Sequence, residues 1–391
     1  MIPVSEALDH LFSLAQPLGV ETVPLVRANG RVLAADVQAR RDQPPFAGSA
    51  MDGYAVRDAD VASGEVLTVI GESAAGHRFK GHVAAGQAVR IFTGAPVPQG
   101  ADRVVIQEDV TRDGDSITLG ANLDAGFHIR DKGIDFQDGQ VVSAPRLLRP
   151  ADIALMAAMN VPEVVVAKRP DVAILSTGDE LVMPGETPSE DQIIASNSFG
   201  LHAMLQDLGA NPRLLPIARD NRASLETAFE LSSDADLVLT IGGASVGDHD
   251  LVGHVAGELG MQRSFYKIAM RPGKPLMAGR LATGAMMVGF PGNPVSAMVC
   301  GQIFLAPVIR AMLGLGHAAT PEFTAELAAD IPANGPREHY MRGRLENGRV
   351  TVFERQDSSL LSLLAEANVL VIRPPKDGPR VAGDAMRCIA I

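Results

Sequence analysis

The sequence predicts a multidomain chain in which a doubly wound α/β sheet is flanked by β-rich segments. Three observations carry that expectation. From residue 170 to 313, short apolar runs alternate with helical stretches, several runs ending in a glycine-bearing loop. Such alternation implies a parallel sheet with helices on both faces. Residues 21–165 and the segment after Ala318 have a different texture, with short runs broken by Gly, Pro and Asp, which reads as strands and turns. A length of 391 residues suits about two to four domains.

The elements follow in order. Residues 4–15 carry Ala7, Leu8, Leu11, Phe12, Leu14 and Ala15 at helical spacing, stopped by Pro17. Residues 66–70, 88–91 and 104–107 read as strands, and 150–160 as a helix. In the next segment, strands are expected at 171–175, 214–217, 237–241 and 286–290. Helices are expected at 199–208, 222–231, 250–259 and 294–313. After Ala318, the runs 323–327, 340–345, 349–353 and 369–372 suggest a small separate β domain.

Composition excludes several functions. The net charge is −12, no basic run occurs and Trp is absent, so no nucleic-acid partner is expected. No run reaches the roughly 18 apolar residues of a membrane span, and the N-terminus lacks the pattern of a signal peptide. Cys300 and Cys388 have no metal or redox spacing, which suits a cytoplasmic location. An anionic small molecule remains compatible, because a few local cations outweigh the global sign.

In an open parallel sheet, ligands bind beyond the carboxyl ends of the strands, and several clusters fall there. Thr177-Gly178-Asp179-Glu180 puts two carboxylates directly after a tight turn; a solvated turn explains them equally well. Gly242-Gly243-Ala244-Ser245-Val246-Gly247-Asp248-His249-Asp250 offers consecutive backbone N–H groups to an anion. It is neither a Walker A loop nor a dinucleotide fingerprint. Its downstream carboxylates would repel phosphate unless a divalent cation intervened. Pro291-Gly292-Asn293-Pro294 reads as a helix start, with Asn293 as N-cap and Pro294 at N1. Lys267 with Arg271-Pro272-Gly273-Lys274-Pro275 holds cations on a stiff loop that suits an oxyanion, although most such clusters are simply solvated. Asp220 follows an expected strand and so reaches the same edge.

Taken together, these clusters resemble one family. Pro45-Phe46-Ala47-Gly48-Ser49-Ala50-Met51-Asp52-Gly53-Tyr54-Ala55-Val56 is similar to a signature of MoeA and the gephyrin E domain. So are Ile91-Phe92-Thr93-Gly94-Ala95-Pro96-Val97-Pro98, the four clusters above, Arg337-Glu338-His339-Tyr340-Met341-Arg342-Gly343 and Leu364-Ala365-Glu366-Ala367-Asn368. The resemblance runs from end to end in the family's order. Departures are local. Arg271 replaces the usual Lys, Asp248 the usual Glu, Ile134 interrupts an acidic triplet before Asp135, and Gln356-Asp357-Ser358-Ser359 lacks the usual glycines.

The resemblance implies four parts: an elongated linking domain (20–40 and 139–165), a β domain (41–138), a Mog-like doubly wound α/β domain (1–19 and 166–318), and a C-terminal β-barrel (319–391). It implies a homodimer with a shared active site, and a Mg²⁺-dependent transferase that inserts molybdate into adenylyl-molybdopterin and releases AMP. Glu180, Asp220 and Asp250 would handle metal and molybdate, with Asp52, Thr93 and Asp135 on the opposite wall. Thr177, Gly178, Asp179, Gly242, Gly243, Ser245, Gly247, Pro291, Gly292, Asn293 and Pro294 would bind substrate, and Lys267, Arg271 and Lys274 the oxyanion or terminal phosphate. No cysteine falls in these motifs, so a protein-thiolate metal site is not expected. The molybdopterin adenylyltransferase is a candidate partner. Its own activity is one alternative reading, but it would need only the Mog-like part; a gephyrin-like scaffold is the other, and would need a fused second Mog domain and a long linker, which this sequence does not show.

Overall fold

A computed structural model describes residues 1–243 and 251–391. The chain forms two compact units. One comprises Met1–Glu21, Gly30–Val32 and Ala167–Ile391; the other comprises Thr22–Asn29 and Leu33–Val166.

The larger unit is built round a six-stranded sheet. Its order is Asn211–Leu214, Asp171–Ser176, Leu237–Ile241, Met286–Phe290, Met277–Arg280 and Gln262–Tyr266. The first four strands are parallel; Met277–Arg280 runs antiparallel to them, and Gln262–Tyr266 pairs antiparallel to it at the edge. Leu237–Ile241 and Met286–Phe290 are buried at every position, which is why they read as continuous apolar runs. Side chains alternate across the sheet. Val172 and Ile174 share a core with Leu8, Leu11, Leu201, Leu205 and Val299, whereas Ala173 and Leu175 pack with Leu225, Phe229, Val252 and Val255. Helices therefore cover both faces, as the alternation predicts.

Several elements depart from expectation. The strand placed at 214–217 is found at Asn211–Leu214. It is an edge strand, where Pro212 removes no ladder partner. Gln262–Tyr266 and Met277–Arg280 were not anticipated, since runs such as Gln262-Arg263-Ser264 lack a strand pattern; their antiparallel pairing makes them strands. The long helix after Asn293 has a π-turn at Gly301–Leu305, between Pro294–Cys300 and Ala306–Met312. Pro307 has no N–H to give, so the regular ladder is interrupted there. Pro294–Met312 is long and apolar enough to cross a membrane, but 83% of it is buried inside the protein. It is a core helix.

Beyond Ala318, five strands close on themselves. Glu338–Glu346 pairs with both Arg349–Val352 and Val369–Arg373; Phe323–Leu327 and Ala385–Ala390 complete the ring. Closure leaves no free edge within this barrel, and Leu327, Val350, Val369, Val371 and Cys388 fill it. Met270–Arg271 runs parallel to the start of Glu338–Glu346, with Arg271 opposite His339.

The other unit carries a six-stranded sheet, ordered Arg103–Ile106, Gly53–Val56, Gln87–Ile91, Val66–Ser73, Ser116–Leu119 and Val110–Asp113. A separate core gathers Leu33, Leu148, Met159, Val164 and Val166 with Met156 of the helix Pro150–Ala158.

Candidate active site

The strands Asp171–Ser176, Leu237–Ile241 and Met286–Phe290 end at one edge, and the three loops that leave them are tied together. Thr177 N–H donates to the Ile241 carbonyl at 3.0 Å, and Gly242 N–H donates to that of Phe290 at 3.1 Å. Gly242 has φ +89°, and a Cβ there would lie 2.7 Å from the Thr177 carbonyl oxygen; at Gly243, with φ +63°, it would lie 2.3 Å from Val252. Only glycine lets these loops converge so closely.

The result is a cleft of about 610 Å³. Of the predicted residues, Thr177, Gly178, Glu180, Asp220, Gly242, Gly243, Pro291, Gly292, Asn293 and Pro294 line it. Asp179 stands behind, accepting the Asp220 N–H at 3.2 Å. Lys267, Arg271 and Lys274 are not on the lining, although Pro275 of the same loop is. Ser245, Gly247 and Asp250 lie outside the described residues.

Charge is unbalanced here. Burial, then the neighbouring Asp179 and Glu180, push the Asp220 carboxyl above its ordinary range. Among the described residues, none of these three acids makes an ion pair, and no group of three potential metal ligands is preformed. Arg219 is nearby but donates to the backbone carbonyls of Asp179 and Leu181.

Asn293 needs a correction. It occupies the N-cap position with Pro294 following, but its side chain makes no capping hydrogen bond. The Val295 N–H that a cap would satisfy donates instead to the Ser358 carbonyl at 3.1 Å. The nearby Gly292 carbonyl is held by the Asn197 side-chain amide at 2.6 Å.

The other predicted residues lie in the second unit. One Asp52 carboxylate oxygen accepts both the N–H and the hydroxyl of Thr93, each at 2.7 Å. These bonds, with a smaller contribution from Arg90, hold Asp52 below the usual carboxylate range. Asp135 is exposed and donates its N–H to the Gln43 carbonyl at 3.0 Å.

Sequence reasoning did not single out Ser359, Ser196 or Asn197, which also line the cleft. It also missed the basic surroundings of Arg271. His339 faces Arg271 on one neighbouring strand and Arg373 on the other. It is buried with Nε2 unpartnered. Burial, then Arg271, Arg342, Arg373 and Arg337, push it down to about 4. It is therefore neutral at neutral pH, while Arg373 itself is paired with Asp377 at 2.6 Å. Arg337, His339 and Arg342 share one local motif, but Arg271 and Arg373 join them only through strand pairing.

Comparison with known proteins covers nearly the whole chain. Residues 2–160 match the model of the MoeA N-terminal region (domain I and II), 173–311 that of a probable molybdopterin binding domain, and 324–390 that of the MoeA C-terminal region (domain IV). A molybdopterin molybdenumtransferase of Nostoc sp. is 37% identical, with 96% of this chain and 90% of that protein covered. One from Haemophilus influenzae is 36% identical over 99% of this chain and 98% of its own. The crystal structure of a molybdopterin biosynthesis MoeA protein from Pyrococcus horikoshii superposes with a TM-score of 0.84 at 29% identity, covering 100% of both chains.

Proposed function

The chain belongs to the MoeA family, and on that premise we propose that it is a molybdopterin molybdenumtransferase, converting molybdate and adenylyl-molybdopterin to molybdenum cofactor and AMP. The observation that carries this reading is the cleft. It combines glycine backbone at Gly242, Gly243 and Gly292 with acids that no cation neutralises among the described residues. Backbone donors suit phosphate and oxyanion. Lys267, Arg271 and Lys274 of the 267–275 loop add local cations to a chain whose net charge is negative.

The acids fit Mg²⁺. They are hard oxygen donors, and Asp220 is held above its ordinary range by burial and then by repulsion from Asp179 and Glu180, a repulsion that a divalent cation would relieve. Glu180 and Asp220 would hold the ion together with Asp250. One or two carboxylates are the usual direct share of a Mg²⁺ shell, so the third acid would act through a bound water, with substrate phosphates and water supplying the rest. When bound, the ion neutralises charge on those phosphates. The chain's own groups orient the pyrophosphate along the glycine loops and attract oxyanion through Lys267, Arg271 and Lys274. Cys300 and Cys388 are buried, with thiols pushed up by burial, Cys388 to about 11. Neither offers a ready thiolate, so the sulfur ligands of molybdenum come from the pterin dithiolene.

The same reading includes a homodimer whose partner subunit supplies the second wall through Asp52, Thr93 and Asp135. It includes the four-part division given above, a cytoplasmic location and a molybdopterin adenylyltransferase as upstream partner. The test is incubation with adenylyl-molybdopterin, Mg²⁺ and molybdate, reading AMP release and cofactor formation together. Both should depend on oxyanion and stop in excess EDTA. AMP release without oxyanion, or unchanged turnover after complete metal removal, would overturn the mechanism.

A further inference from the structure

Ser359 reaches the cleft from the segment after Ala318, not from the parallel sheet. Its loop lacks the glycines usual in the family, yet it is held from three directions. Gln356 Oε1 accepts the Arg342 N–H at 3.0 Å, while its amide nitrogen donates to the carbonyls of Arg342 at 2.9 Å and Phe353 at 2.7 Å. The Arg342 guanidinium donates to the carbonyls of Leu360 at 3.1 Å and Arg355 at 3.4 Å, bracketing the loop. Ser358 is tied through its carbonyl to Val295 N–H, at the start of the helix beside the cleft.

Arg342 is only 1% exposed. A buried charge ordinarily stands against an opposite one, but among the described residues Arg342 makes no ion pair and is satisfied by backbone carbonyls. Its side chain is therefore committed to the loop's path. Arg342→Met would leave those carbonyls without their partner.

Asp357 sets what Ser359 can offer. Its Oδ1 accepts the Ser359 N–H at 2.8 Å and the Ser359 hydroxyl at 2.6 Å. Those bonds, with Arg342 and Arg355 nearby, hold Asp357 below the usual carboxylate range, so it is ionised at neutral pH. An ionised carboxylate only accepts. Both Ser359 donors are therefore in use, and its hydroxyl has only lone pairs left to offer a ligand in the cleft it lines.

We infer that Arg342 and Gln356 are positioning residues that fix Ser359 as a hydrogen-bond acceptor for an N–H or O–H group of the nucleotide-linked pterin, not for the oxyanion. Molybdate is fully deprotonated at neutral pH and carries no donor. The pterin, adenine and ribose of the other substrate all do. This inference rests on the proposed reaction, so wild-type turnover is measured alongside.

The experiment compares Gln356→Leu, Ser359→Ala and their double variant in the full chain. The half-saturating concentration of each substrate is read separately from the saturated rate. Each single variant is expected to raise KM for adenylyl-molybdopterin about two- to tenfold, the range of one lost hydrogen bond, with KM for molybdate unchanged. Because both act through one contact, the double variant should be no worse than the worse single one. Ser359→Thr, which keeps the hydroxyl, should restore KM. If Gln356→Leu fails to fold, Arg342→Lys takes its place with the same selective rise expected. Additive losses, a shift in molybdate KM alone, or no shift at all would overturn the inference. An inactive wild-type chain would instead overturn the proposed reaction.

Discussion

Asp52 and Asp220 are both acids in loops that follow or precede short strands, and their surroundings push them in opposite directions. Two donors from Thr93 saturate one Asp52 oxygen and keep the group charged. Asp220 is partly desolvated beside Asp179 and Glu180, and its charge is disfavoured. The first arrangement is complete as it stands. The second has negative charge with no internal answer, which is what a site built to take up a cation and a polyanion together requires. Motif matching alone treats the two acids alike; electrostatics separates them.

The largest expected effect tests that separation directly. Glu180→Gln or Asp220→Asn should lower AMP release by about a hundredfold while the circular-dichroism spectrum stays native, because size is kept and only charge is lost. The stability sign also differs between the two acids. The folded pKa of Asp220 is raised, so its ionised form opposes folding, and that penalty fades as pH falls through the folded value. Asp220→Asn should therefore leave the melting temperature at neutral pH unchanged or higher. A clear drop, or near-normal rates, would assign these acids to the scaffold.

A second prediction asks whether the two acids serve one reaction from different subunits. Asp52→Asn and Glu180→Gln dimers should each be nearly inactive. Co-expressed, about half the dimers are mixed, each with one intact site and one doubly damaged site, so activity should return to about a quarter of wild type. No rescue, with mixed dimers demonstrated by differential tagging, would rule out a shared site.

Lys274 is near the cleft in sequence but off its lining, so its effect should be smaller. Lys274→Ala should raise the half-saturating oxyanion concentration a few-fold, with the saturated rate nearly unchanged, as expected for a cation that serves anion capture. An unaltered oxyanion dependence would return this loop to the solvated charges.

The smallest effect expected is on stability, from the charge state of Asp52. Its folded pKa is depressed, so its contribution is present above the unfolded value of about 4 and is lost as pH falls through the folded value. Melting curves from neutral pH into strong acid should show Asp52→Asn lacking that last acid-dependent step. Identical acid profiles for wild type and variant would show that the Thr93 bonds do not favour the charged form.

Covalent neighbours were legible from the sequence alone. The strand–loop–helix alternation, the glycine pairs and the acids directly after a strand are local patterns, and they located most of one cleft wall. The N-cap position of Asn293 was legible too, but its side chain does not cap, because Val295 N–H finds Ser358 from more than sixty residues away. Gln262–Tyr266 and Met277–Arg280 became strands only by pairing. Ser359, Arg342 and the arginines round His339 enter through closure of the C-terminal barrel, which brings separate strands into register. Local pattern is written by steric and hydrophobic periodicity, which the sequence carries residue by residue. The burial of Arg342 and the upward push on Asp220 depend on long-range neighbours and on the water they exclude, and those exist only once the chain has folded.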